Sequence, residues 1–156
     1  MSFQLKRYNI RPNRLVIEVL ESVYVDRNDD PIIKNLEMLS ALGCKIDLDD
    51  FGTGQASLKS VRRFAVNRVK IDRSFIMDVD TDEEQQQVVK TILSMAEIMK
   101  VATLAEGVES QAEIDHLASM GCAHAQGFAI GRPMSFEETI AWIQARTKPT
   151  VAENVS

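Results

Sequence analysis

The chain has 156 residues, 45% hydrophobic and 26% charged, the make-up of a soluble globular domain or a piece of a larger one. Its net charge of −5 argues against duplex DNA as a partner, because DNA is gripped by a basic face. No stretch approaches the roughly 20 apolar residues of a membrane span, and residues 1–10 lack the apolar core of a signal peptide.

The predicted elements alternate along the chain. Leu15 to Leu20 is a short apolar run broken by Glu18, and it reads as a strand buried on both faces. Pro31 to Leu42 carries Ile32, Ile33, Leu36, Leu39 and Leu42 at helical spacing, with Gly43 as the stop. Lys45 to Asp50 alternates like a strand and ends in two aspartates. Gly52, Thr53 and Gly54 make a loop, and Ala56 to Phe64 a helix on which Arg62 and Arg63 form a solvated face. Arg68 to Asp72 is the third strand. Glu83 to Lys100 is a helix with Val88, Ile92, Met95 and Met99 on its core face. Val101 to Ala105 is the fourth strand, Gln111 to Met120 a helix with Ile114 and Leu117 inward, and Ala123 to Phe128 the fifth strand. Phe136 to Ala145 is the last helix, and residues 147–156 form a flexible polar tail. No internal repeat is present. Cys44 and Cys122 each follow a glycine and precede a strand. They read as small buried thiols of a reducing compartment, which implies the cytoplasm.

Strand and helix in strict alternation call for an α/β fold with a parallel sheet and right-handed crossovers. Glu18, Glu21, Asp49, Asp50, Lys70, Asp72, Glu106 and Gln126 then all fall at or near the C-terminal ends of strands. In a β/α barrel those ends form one rim, where active sites sit. Any one of these residues alone has an ordinary explanation: an Asp-Asp turn, a surface lysine, a solvated glutamate. Five consecutive strands contributing to one rim do not. Glu18, Asp49, Asp50 and Glu106 would converge as hard oxygen ligands, suited to Mg²⁺ or Mn²⁺ rather than zinc. Paired ions about 3.5–4 Å apart are a known solution for cutting phosphodiesters. Lys70 could hold the attacking water or a phosphate oxygen. His116 and His124 read as structural or surface residues.

Several segments together resemble a known family. Asp49-Asp50-Phe51-Gly52-Thr53-Gly54, Val69-Lys70-Ile71-Asp72-Arg73-Ser74-Phe75, Ala105-Glu106-Gly107-Val108-Glu109, Gln126-Gly127-Phe128 with Arg132-Pro133, and Glu18-Val19-Leu20-Glu21-Ser22 occur in the order of the EAL domains. The resemblance runs from about Leu15 to about Pro133. It implies a TIM-like barrel that hydrolyses cyclic di-GMP to linear pGpG with two divalent ions. By resemblance Glu18, Asp49, Asp50 and Glu106 are metal ligands, and Lys70 and Glu106 are catalytic. Glu21 anchors the loop after Asp50, while Gln126, Asp72 and Arg132 contact the ligand; Glu109 stands beside them in the motif.

The sequence departs from the family pattern. Glu-Ala-Leu is absent, as is a metal-binding asparagine of the strand that follows it, and Gln55-Ala56 stands where the family often has Tyr-Ser. The expectation is the C-terminal portion of an EAL domain over residues 1–146, a partial barrel of five strands. Residues 1–13 would end the helix before the Glu18 strand. Such an open barrel is expected to be completed or covered by self-association, as a homodimer or otherwise. Alone it would be weakly active or inactive. The alternative is a non-catalytic module that binds cyclic di-GMP or a protein partner.

Overall fold

The computed structural model describes residues 2–20, 31–52 and 66–147. The expected helix 56–64 with Arg62 and Arg63, Glu21, the loop from Thr53 through Gln55, and residues 148–156 of the expected tail lie outside them. Helix α1 (Ser2–Arg7) and a 3-10 turn at Pro12–Arg14 lead into strand β1 (Val16–Leu20). Then come α2 (Pro31–Ala41), β2 (Lys45–Phe51), β3 (Arg68–Ile71) and the one-turn helix α3 (Arg73–Ile76). Helix α4 (Glu83–Met99), β4 (Ala102–Glu106), α5 (Gln111–Ser119), β5 (Ala125–Gln126) and α6 (Phe136–Thr147) complete the described chain. The five strands are all parallel and lie in sequence order, each hydrogen-bonded to the next. That order winds the chain in one direction around a sheet, as a β/α barrel requires.

Period-two alternation gives the sheet two different faces. The outward residues Ile46, Leu48, Val69, Ile71 and Ala105 are fully or nearly fully buried. They meet Ile33 and Leu36 of α2, Val89, Ile92 and Ala96 of α4, and Leu117 of α5 in two adjoining apolar clusters. The inward face carries Glu18, Asp47, Asp49, Arg68, Lys70, Leu104 and Glu106. Arg68 donates from Nε to Asp47 Oδ2 at 2.7 Å, which lets a nearly fully buried carboxylate remain in the barrel wall.

Four expectations change. Strand β1 is not buried on both faces: Val16 and Leu20 are exposed, because β1 is hydrogen-bonded on one side only among the described residues. The centre of the α4 core face is Val89, Ile92 and Ala96, with Val88, Met95 and Met99 half-buried on its flanks. The fifth strand shrinks to Ala125–Gln126, since the chain turns at Gly127 to dock on the loop after β4. Both cysteines are free, but only Cys44 is buried. Cys122 is half-buried, its thiol donating to the His124 carbonyl at 3.3 Å. No helix of the described residues is long and apolar enough to cross a membrane.

Helix α5 starts on a reciprocal cap. The Ser110 hydroxyl accepts from the Glu113 N–H at 3.1 Å, and Glu113 accepts from the Ser110 N–H at 3.0 Å. Glu113 is itself buried. A Ser110→Ala variant is expected to lose about 1 kcal/mol of unfolding free energy in urea denaturation.

Candidate active site

The inward side chains at the C-terminal ends of β1 to β4 meet on Lys70. Its ammonium lies 2.9 Å from Asp49 Oδ1, 2.9 Å from Glu106 Oε1 and 3.1 Å from Glu18 Oε1. The lysine is 4% exposed although it stands at the rim. Burial opposes its charged form, but the hydrogen bonds to Glu106, Asp49 and Glu18 more than offset this and hold the ammonium pKa above its ordinary value. Burial pushes the Glu106 carboxyl up; the hydrogen bond and charge of Lys70 oppose the rise without cancelling it, and Asp49 adds to it. The two shifts have different sources: three carboxylates hold one cation, which raises Lys70, whereas burial is what raises Glu106 in spite of that cation.

Adjacent residues of a regular strand point to opposite faces, so Asp49 and Asp50 should not share a site. The β2–β3 register shifts between Leu48 and Phe51, and Asp50 takes a left-handed backbone with φ of 55°. Aspartate tolerates this conformation better than most residues. The irregularity brings both carboxylates to the same mouth, as bulges at barrel rims commonly do. Ligand atoms of Asp49, Asp50 and Glu106 all lie within 4.8 Å of one another, and all three residues are half-buried. Such a set of oxygen donors fits a hard divalent ion.

The other expected site residues are more dispersed. Asp72 caps α3, accepting the Ser74 N–H at 2.9 Å and the Ser74 hydroxyl. Those bonds, the hydroxyl first, hold its pKa below the ordinary aspartate value. Gln126 is exposed at the end of β5, in register with Glu106. Arg132 stacks 4.5 Å from the Phe128 ring centre. Glu21 lies outside the described residues. Neither histidine belongs to the carboxylate group. Sequence reasoning missed Arg73, which pairs with Glu109 across two rim turns. A lone arginine after a strand carries no periodic signal.

The EAL domain family profile matches residues 2–133. The bifunctional diguanylate cyclase/cyclic di-GMP phosphodiesterase MucR of Pseudomonas aeruginosa is 39% identical over 137 residues, covering 88% of this chain and 20% of that protein. The cyclic di-GMP phosphodiesterase PdeR of Escherichia coli is 33% identical over 130 residues, covering 83% of this chain and 20% of that protein. The chain thus spans 20% of the length of each of these two curated relatives. Among solved structures, the PaMucR phosphodiesterase in complex with c-di-GMP superposes with a TM-score of 0.79 at 38% identity, covering 88% of this chain and 56% of that one. The manganese/cy-diGMP complex of BlrP1 from Klebsiella pneumoniae superposes with a TM-score of 0.74 at 32% identity, covering 83% of this chain and 33% of that one.

Proposed function

The chain belongs to the EAL domain family, and from that we propose that it is part of a metal-dependent phosphodiesterase hydrolysing cyclic di-GMP to linear pGpG. The observation that carries this reading is the buried Lys70 ammonium held by Glu18, Asp49 and Glu106 beside Asp50. Asp49, Asp50 and Glu106, with Glu18 next to them, would hold Mg²⁺ or Mn²⁺, as two ions in the complete domain. Bound there, divalent ions lower the pKa of water and neutralise charge on the phosphate.

The three N–H groups of Lys70 are taken by Glu18, Asp49 and Glu106. With those carboxylates turned to divalent ions, a released N–H would reach an attacking water or a phosphate oxygen. Its burial holds the ammonium at that point, where its charge would offset the negative charge that grows. The water oxygen adds to phosphorus, the P–O3′ bond breaks, and the departing 3′-oxygen takes up a proton. Linear pGpG with a 5′-phosphate results. Gln126, Asp72 and Arg132 are proposed to contact the dinucleotide, and Glu21 to anchor the loop after Asp50.

Glu-Ala-Leu does not occur in the sequence. On the family's pattern one ion then lacks ligands, so this chain by itself is proposed to turn over weakly or not at all. The exposed Phe128, Phe136, Ile140 and Ile143 support self-association. The free cysteines fit a cytoplasmic setting.

The test is calorimetry of the chain with Mn²⁺ and with cyclic di-GMP, beside chromatography for pGpG. Mn²⁺ binding that disappears in Asp49→Ala is expected, with little pGpG. No Mn²⁺ binding by the wild type, or hydrolysis that survives Asp49→Ala, would refute the reading. Dinucleotide binding without turnover would favour a non-catalytic module.

A further inference from the structure

We infer that Arg73 is a positioning residue, strapping the turn after Lys70 to the turn after Glu106 so that the two side chains keep one geometry. The inference rests on the metal-cluster reading above. Arg73 stands three residues after Lys70, and its backbone is fixed from both sides. Asp72 before it caps α3 through Ser74, and the Ser74 carbonyl accepts from Gln85 Nε2 of α4 at 3.1 Å. From this anchored start the Arg73 side chain crosses to the next rim turn.

Two contacts meet it there. Its methylenes cover Gly107, the residue directly after Glu106. A Cβ on Gly107 would lie 2.5–2.8 Å from Arg73 Cβ, Cγ and Cδ, so the arginine stem fills the space a side chain would need. Gly107 also has φ of +74°, which L-residues rarely adopt. Beyond it the Arg73 guanidinium pairs with the Glu109 carboxylate. Glu109 is tied in turn to α5, since its N–H is donated to the buried Glu113 carboxylate at 2.6 Å. The strap therefore runs from α4 and α3 to α5, with Glu106 directly before the residue it covers.

An exposed ion pair contributes little to stability by itself and is screened by salt. Orientation is another matter: misaligned metal ligands lose affinity even where the fold is unharmed, and groups that orient a ligand typically govern about 10–100-fold in metal binding. Arg73 touches none of the reacting atoms. Its effect passes through Glu106.

The experiment is Mn²⁺ calorimetry on the full chain, with thermal unfolding of each variant in parallel. Arg73→Ala should weaken Mn²⁺ binding about tenfold with little change in Tm. Arg73→Lys, whose stem still covers Gly107 and whose ammonium reaches Glu109, should recover most of the loss. Glu109→Gln should fall between them. Wild-type affinity in Arg73→Ala overturns the inference while leaving the cluster reading intact. So does a loss that tracks Tm and that Arg73→Lys does not restore, because that pattern marks a structural staple only. Failure of the wild type to bind Mn²⁺ overturns the cluster reading and this inference together.

Discussion

A Lys70→Met variant should slow cyclic di-GMP hydrolysis about 10²–10³-fold in whichever form of the protein turns over, the usual effect of removing a preorganised donor. Methionine keeps much of the stem and removes the charge, so the loss reports the ammonium. The same variant should change how stability responds to pH in metal-free buffer. In the wild type the lysine pKa is raised: burial works against it, and Glu106, Asp49 and Glu18 outweigh burial. A raised lysine contributes stability that is fully present below its unfolded pKa of about 10.4, and loses it only as pH rises through the folded value. At pH 7 the cluster keeps its cation.

Without Lys70, Glu106 loses the hydrogen bond and the positive charge that oppose its rise. Its folded pKa climbs further above the unfolded value of about 4.3. Between those two values the folded state holds a proton that the unfolded state has released, so stability falls as pH rises. Urea denaturation at pH 5 and pH 7 should therefore show Lys70→Met losing more stability on the alkaline side than the wild type does. Parallel pH profiles for the two proteins would mean that Lys70 does not compensate the carboxylates, and the account of the site would fail.

Much of the rim was legible because it follows from period two. Once Leu48, Val69 and Ala105 are assigned outward, Asp49, Lys70 and Glu106 must point the other way, and parallel pairing sets them side by side. Asp50 did not follow from that rule. A strict strand turns it away from Asp49, and only the bulge and the left-handed φ of 55° return it to the site. Pattern reading cannot see a register shift that costs local strain and is stabilised by its surroundings. The exposure of β1 escaped for a different reason. Apolar composition in Leu15 to Leu20 shows that a strand forms there, but burial depends on which neighbours cover it. The Asp47–Arg68 pair was missed because each residue alone looks solvent-facing, and only the barrel wall puts them together.

Gly127 carries the largest expected stability loss. A Cβ at this position would lie 2.2 Å from the Val108 carbonyl oxygen and 2.4 Å from the Val108 nitrogen. Both obstacles are backbone atoms, and they are held in place: the Val108 N–H is donated to the Gln126 carbonyl at 3.2 Å, and the Ala129 N–H to the Val108 carbonyl at 3.0 Å. A flexible side chain could rotate aside, but this backbone cannot move without parting the loops after β4 and β5. Gly127→Ala should thus cost about 3 kcal/mol, at the severe end for overpacking. Gly121 is the control. Its φ of +90° strains any side chain, yet nothing lies within 4 Å of its Cβ position, so Gly121→Ala should cost only about 1 kcal/mol. Gly127 has no left-handed φ, so a loss for Gly127→Ala no larger than that for Gly121→Ala in chemical denaturation would show that the close approach to Val108 does not require glycine there. The difference bears on the site because β5 is only Ala125–Gln126, and its seat beside Glu106 depends on this contact. Parting the loops would free Gln126 and shift the end of β4. Gly127→Ala should therefore weaken Mn²⁺ binding even at temperatures where it remains folded, whereas Gly121→Ala should leave that binding unchanged.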